Sequence, residues 1–369
     1  MIPISNPRSQ LIPIEAEILS AIKDVLQSGN YILGENVSTL EAEIAKKLQV
    51  SECIAVANGT DALTLALHAC GIGEGDEVIT TTFSFFATAE AISRVGAKVI
   101  FIDVDEKTFN LDHNKILENI TTATKAIIPV HLFGQPANMN EINKIASEHN
   151  LRVIEDACQA FGAMYQGKPV GSLGDVACFS FFPTKNLSTI GDGGIITTSD
   201  PTIAKRIRSL RAHGSKKKYF HDEIGYNSRL DEIHAAIIRI CLEHIDDWNE
   251  KRKSLAARYN KKLKDIHIIK TPFASNQSTH VYHLYCLESE YREKIIEELY
   301  KQNIQTGIYY PCSIHLQKAY KHLAYQVGDF PIAESLSKKL FAIPLYPALS
   351  YKDQDKVINA LKTIKVCHS

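Results

Sequence analysis

The sequence predicts an α/β protein: a large domain on a mostly parallel central sheet, then a smaller C-terminal α+β domain. Three observations predict it. Between residues 50 and 200, short β-rich runs alternate with stretches of helical periodicity; strands separated by helices of that length need crossovers, and these give parallel sheets covered on both faces. After residue 170 the rhythm changes to strand, irregular loop, strand, and beyond about residue 270 to mixed short runs and helices. Finally, 369 residues and 41.1 kDa exceed what one hydrophobic core usually supports. The boundary is placed near residue 250, giving a large domain with an N-terminal arm over 1–250 and a small domain over 251–369.

Residues 54–57 form the first apolar run, and the helix from Thr60 puts Leu63, Leu67 and Cys70 on one face. Residues 77–80 lead into a helix over 87–95, 98–103 and 126–130 are further strands, and a helix over 139–149 precedes the strand 152–155. Strands at 175–182 and 194–198 are joined by a glycine-containing segment instead of a helix. A helix over 201–213, a polar lysine-bearing loop over 215–221 and a long helix over 231–264 complete the large domain. The small domain is expected to hold a strand at 281–286 and helices over 290–302 and 352–364.

Composition narrows the function. With 41 Lys and Arg against 42 Asp and Glu, the net charge is −1, which gives no electrostatic grip on nucleic acid or an acidic membrane. The eight cysteines are scattered at 53, 70, 158, 178, 241, 286, 312 and 367, without a CxxC pair. Neither a zinc knuckle nor a disulfide framework fits, and a reducing cytoplasm is the expected compartment. No basic start with a long apolar stretch and no run of 18 apolar residues occurs, so neither a signal peptide nor a membrane span is expected. P-loop and dinucleotide glycine patterns are also missing. His280 and His283 could suggest a metal pair, but on a strand their rings would point to opposite faces, which favours packing histidines and no metal.

Ligands of open α/β sheets bind beyond the carboxyl ends of the strands. Gly59, Thr60 and Asp61 close one strand and open a helix, where glycine permits close approach and free N–H groups favour an anion; capping by Thr60 is the commoner use of such a triplet. Asp156 follows a strand, where it could hold a ring nitrogen protonated or cap a helix. Lys185 lies between two apolar strands beside Phe181 and Phe182, and partial desolvation there favours the neutral amine that carbonyl chemistry requires. The lysine stands 29 residues after the aspartate. An anion cup, a ring-nitrogen partner and an amine together meet the needs of pyridoxal 5′-phosphate.

Five motifs in order carry a resemblance. They are GTDAL from Gly59, EDACQA from Glu155, FSFFPTKN from Phe179, GDGG from Gly191 and GYNSRLDE from Gly225. The chain resembles, from about residue 10 to its end, the DegT/DnrJ/EryC1/StrS sugar aminotransferases, which have the aspartate-aminotransferase fold of pyridoxal phosphate enzymes. The resemblance implies that Lys185 bonds covalently to the cofactor, Asp156 pairs with the pyridine nitrogen, Gln159 lies near the phenolic oxygen and Phe85 stacks on the ring. Gly59, Thr60, Asp61 and Ser180 would form the phosphate cup, and Asn227 would reach in from the second subunit of a homodimer. Arg229, Tyr310 and His315 are candidates for sugar or diphosphate contacts, and the Lys216–Lys218 run could meet the diphosphate or be a solvated loop. Phe182 stands where many relatives carry His or Tyr, so a polar role is lost there. The motifs are most similar to the branch that aminates dTDP-linked 3-keto-6-deoxy sugars, with L-glutamate as donor and 2-oxoglutarate as its product. Amination at a 4-keto position, dehydration without a lysine, and a regulatory protein without turnover are the alternatives.

Overall fold

A computed structural model describes residues 1–217 and 219–364. The chain enters through α1 (Pro7–Leu11), α2 (Glu15–Ser28) and α3 (Glu35–Leu48). It then alternates through β1 (Glu52–Val56), α4 (Gly59–Ala69), β2 (Glu77–Thr81), α5 (Ala87–Arg94), β3 (Lys98–Ile102), β4 (Thr124–Ile128), α6 (Met139–Glu148) and β5 (Arg152–Asp156). The short strands β6 (Met164–Tyr165) and β7 (Lys168–Pro169) precede β8 (Val176–Ser180) and β9 (Gly194–Thr198). Next come α7 (Pro201–Leu210), a ribbon of β10 (Ser215–Lys217) and β11 (Phe220–His221), and the long α8 (Glu232–Leu263). The remainder carries β12 (Ser278–Thr279), β13 (Tyr285–Glu288), α9 (Arg292–Lys301), α10 (Pro331–Lys339), β14 (Leu340–Ile343) and α11 (Tyr351–Thr363).

The seven-stranded sheet has the order β1-β9-β8-β5-β4-β2-β3. β2 pairs in parallel with β3 and β4, β4 with β5, and β5 with β8. Only β9 opposes its neighbours, running antiparallel to β8 and β1. The carboxyl ends of β1, β2, β5 and β8 therefore share one edge, and β9 begins there at Gly194. A Cβ on that glycine would lie 2.5 Å from the carbonyl carbon and oxygen of Asn58, so this close approach requires glycine.

Successive strand residues serve opposite faces. Ile54 and Val56 enter a cluster with Leu63 and Leu67 of α4, Ile92 of α5 and Ile207 of α7. Cys53 and Ala55 enter another with Ile18 of α2, Leu40 and Ile44 of α3, and Ile237 of α8. Burial on both sides is why these strands read as continuous apolar runs. α8 changes partners along its length: Trp248 belongs to the second cluster, Leu255 and Tyr259 to a third with Leu287, Leu299, Phe341 and Leu361. Segments distant in sequence also cross between these clusters. Ile2 joins the third cluster and its N–H donates to the Asn303 carbonyl, whereas Ile314, Tyr320, Phe330 and Leu336 pack into the first.

Three local expectations are corrected. The strand expected at 281–286 occupies Tyr285–Glu288, because Tyr282 adopts a left-handed φ of 46° and interrupts the extended run. The expected loop 215–221 contains the β10–β11 ribbon, and its Lys218 lies outside the described residues. α4 is capped by Asn58, whose Oδ1 accepts the Asp61 N–H at 2.8 Å, and not by Thr60.

One buried carboxylate fixes the edge where β5 ends. Glu155 Oε1 accepts the N–H groups of Leu173 and Gly174, both at 2.8 Å, and Oε2 accepts the Gly171 N–H at 3.0 Å. His131 Nδ1 accepts the Ala137 N–H, so its Nε2 carries the hydrogen donated to Glu155 at 3.0 Å. Both side chains are fully buried. Glu155→Ala should strand these donors without water and cost about 3–5 kcal/mol. A urea-unfolding midpoint unchanged from wild type would contradict that role.

Candidate active site

A cavity of about 560 Å³ opens at the shared carboxyl edge of the sheet. Asn58, Gly59 and Thr60 bring the start of α4 to it, and Ser180 at the end of β8 faces them. A Cβ on Gly59 would lie 2.7 Å from Ser180 Cβ and 2.9 Å from Cys158 Sγ, so a side chain there would force the helix start away from the strand. The first backbone bond of α4 runs from the Ala62 N–H to the Asn58 carbonyl, and among the described residues the N–H groups of Gly59 and Thr60 have no protein partner. Two free donors, a hydroxyl and the positive end of an 11-residue helix form an anion site.

Asp156 is the last residue of β5 and is 6% exposed. Its Oδ2 accepts the Thr88 hydroxyl at 2.7 Å and its Oδ1 accepts the Cys158 N–H at 3.2 Å. These bonds orient the carboxylate and leave lone pairs for a further donor. Lys185 lies in the loop after β8, anchored by its N–H to the Phe182 carbonyl at 2.8 Å, and lines the same cavity. Among the described residues no hydrogen bond or ion pair holds its Nζ. Burial lowers the basicity of that amine, opposed in part by Cys158 and the Asp156 carboxylate beside it. A lysine so placed is an available nucleophile and base.

Gln159 is 6% exposed, and its amide is clamped: Oε1 accepts the Phe133 N–H at 2.9 Å and Nε2 donates to the Tyr310 hydroxyl at 3.1 Å. Phe85, 57% exposed, lies at the cavity wall with its ring 6.4 Å from that of Tyr310. The structure thus brings Gly59, Thr60, Phe85, Asp156, Gln159, Ser180, Lys185 and Tyr310 around one space.

Four expected residues lie elsewhere in the single chain. Asp61 contributes its N–H to the Asn58 cap, while its carboxylate faces Arg94 at 3.9 Å. Arg229 donates to Asn227 Oδ1 at 2.7 Å at the surface, and neither lines the cavity. His315 is a correction: its side chain is fully buried, with Nδ1 2.7 Å from the Thr82 hydroxyl and Nε2 3.3 Å from Glu334, so it ties the 314–316 turn to the end of β2 and has no access to a ligand.

Two side chains escaped the sequence reading. Thr88, in the first turn of α5, orients Asp156 from 68 residues away in sequence, with no local signal. The sequence predicts His283 as a packing residue of a strand, but the segment is irregular there and the ring lines the cavity. Its Nδ1 is buried without a partner among the described residues, and burial, then the charges of Lys185 and Arg252, hold it far below the usual histidine range. His280 instead stacks on Tyr282 at 3.9 Å, and its Nδ1 accepts the Tyr282 N–H. No group of three or more metal-ligating side chains occurs among the described residues, and no helix there is long and apolar enough to cross a membrane.

Residues 13–362 match the DegT/DnrJ/EryC1/StrS aminotransferase family. The chain belongs to that family. It is 45% identical to the dTDP-3-amino-3,6-dideoxy-alpha-D-galactopyranose transaminase of Aneurinibacillus thermoaerophilus, over 98% of this chain and 99% of the relative. It is equally 45% identical to a pleiotropic regulatory protein of Geobacillus stearothermophilus, over 98% and 97% of the two chains. The crystal structure of S. venezuelae DesV in complex with a ketimine intermediate superposes with a TM-score of 0.96 at 39% identity, covering 98% of this chain and 97% of that one. The protein is therefore an aminotransferase of the α/β class that the sequence predicts.

The buried histidines of this aminotransferase make stability depend on pH. Burial pulls His280 down to about 3, so it is neutral when folded and charges at about 6.5 when unfolded. Below pH 6.5 the unfolded chain binds more protons, and stability falls as pH falls, by up to about 1.4 kcal/mol per pH unit for one such group. His280→Gln should flatten the urea-unfolding stability between pH 6 and pH 4 by about that slope; parallel curves for variant and wild type would contradict the assignment.

Proposed function

We propose that this aminotransferase holds pyridoxal 5′-phosphate and moves the amino group of L-glutamate to the keto carbon of a dTDP-linked 3-keto-6-deoxy sugar. The carrying observation is that Lys185 and Asp156 line one cavity with the anion site at the start of α4. The donor set fits the cofactor: Gly59 and Thr60 N–H groups with the Ser180 hydroxyl for the phosphate, Asp156 for the pyridine nitrogen, Gln159 for the phenolic oxygen and Phe85 for the ring face. When bound, the cofactor supplies an electron sink for the carbon that loses its proton.

The chain's own groups do the rest. Asp156, oriented by Thr88, keeps a positive ring nitrogen paired, which strengthens that sink. Lys185 Nζ would hold the cofactor's aldehyde carbon, and as a free amine it would take the proton from the donor's amino-bearing carbon and, in the return direction, deliver one to the sugar carbon. Its lowered basicity keeps a larger neutral fraction for this work. The cavity wall of Ile4, Phe182, Leu284 and Leu345 is apolar, which suits the methyl group of a 6-deoxy sugar. The relative named for a dTDP-3-amino-3,6-dideoxy sugar supports amination at C3. Asn227 is exposed on the single chain, which suits a reach into the active site of a second subunit; on this reading the working unit is a homodimer, and Arg229, bonded to Asn227, serves a sugar or diphosphate contact.

The test uses purified protein loaded with pyridoxal phosphate. L-Glutamate should convert the visible cofactor band to the pyridoxamine form with release of 2-oxoglutarate, and a dTDP-3-keto-6-deoxy sugar should restore it at least about tenfold faster than the 4-keto isomer. Lys185→Arg should lose both the band and turnover, while Asp156→Asn should keep cofactor and slow the proton transfer by about 100-fold or more. Binding of the cofactor without any response to glutamate would favour the regulatory reading that the Geobacillus relative's name suggests. Equal rates with the two sugars would overturn the assignment to C3.

A further inference from the structure

Gln159 can adopt one amide orientation only. The Phe133 N–H is a pure donor 2.9 Å from Oε1, so flipping the amide would set two donors against each other. Nε2 must therefore face the Tyr310 hydroxyl, 3.1 Å away, and spend one hydrogen there. Its second hydrogen has no partner among the described residues, at a cavity that Gln159 and Tyr310 both line. The backbone that supplies the first bond is itself constrained, since Phe133 sits at a left-handed φ of 55° before Gly134 at 99°. Non-glycine residues held there store strain, which occurs where a site is pre-organised.

Tyr310 is held as firmly. Its ring meets Phe83 at 6.0 Å and 72°, Tyr309 at 6.0 Å and 84°, and Phe133 at 6.5 Å and 24°, with Phe85 tilted beside it. Phe133 thus touches both partners, through its N–H to Gln159 and its ring to Tyr310. Burial raises the Tyr310 phenol above its ordinary value, so the hydroxyl stays neutral and able to accept.

We infer that Tyr310 is a positioning residue: by accepting one Gln159 Nε2 hydrogen, it aims the other at an anionic ligand oxygen and so tunes the charge on that oxygen. The inference rests on the proposed cofactor reading, in which the oxygen is the cofactor's phenolic one. This replaces a direct sugar contact as the role of Tyr310. The visible band of such an enzyme titrates because a proton is shared between the Lys185 nitrogen and the phenolic oxygen. A donor to that oxygen stabilises the form that has lost the proton, so weakening the donor raises the titration midpoint.

Tyr310→Phe removes one oxygen and leaves the surrounding ring packing in place. In cofactor-loaded protein with wild-type circular dichroism, the midpoint of the band should rise by about one pH unit, a tenfold change in the proton equilibrium. In a Gln159→Ala background the same substitution should shift it no further, because the tyrosine acts through the amide. If Tyr310→Phe fails to load, 3-fluorotyrosine at position 310, which nearly keeps the shape but is a weaker acceptor, should give a smaller rise. An unchanged midpoint, or a shift that persists without the Gln159 amide, overturns the inference while leaving the cofactor assignment intact. Wild-type protein that shows no visible band with pyridoxal phosphate overturns the cofactor reading and this inference with it.

Discussion

The parallel pairing of β5 with β8 is the contact on which the site depends. It sets Asp156 opposite Cys178, so the carboxylate at the end of one strand lies beside the start of the loop that carries Lys185. The Glu155 carboxylate secures that register from the other face: it gathers the N–H groups of residues leading into β8 and takes the His131 hydrogen. Alternation along β5 then does two jobs with adjacent residues. Glu155 turns inward to lock the chain, and Asp156 turns to the cavity edge. A one-residue slip would exchange them and leave a buried charge without partners.

The helix start belongs to the same arrangement. β9 runs against β1 and β8, so Gly194 enters the edge between them, and the close contacts at Gly59 and Gly194 leave no room for side chains. The glycines there are required by approach distance, not by turn conformation, since neither has a positive φ. The outcome is an anion site at the start of α4 within the same cavity as an amine and a carboxylate. An anion-binding helix start, a single carboxylate and a single amine beside an apolar wall make a site whose polar groups are oriented before a ligand arrives.

Much of this was legible in the sequence because buried parallel strands announce themselves. The run Val153–Ile154 before Glu155, or Ile195–Ile196 after Gly194, has both faces covered, and the elements carrying Gly59, Asp156, Ser180 and Lys185 were placed to within a few residues. What stayed hidden has a common cause: contacts between residues remote in the chain. Thr88 reaches Asp156 across the sheet edge, and no local pattern marks it. His283 and His315 show the ambiguity of a lone histidine. The irregular backbone around Tyr282 turns the first toward the cavity, and Thr82 with Glu334 closes off the second. Asn227 and Arg229 lie at the surface of one chain, a placement that a single sequence does not reveal.

Lys185 is the amine proposed to attach covalently to the cofactor. The most direct measurement is borohydride reduction of the protein loaded with pyridoxal phosphate, followed by proteolysis and mass spectrometry. The account predicts one stoichiometric phosphopyridoxyl adduct, on the peptide that contains Lys185. A label spread over surface lysines, fixed on another residue, or absent would contradict it.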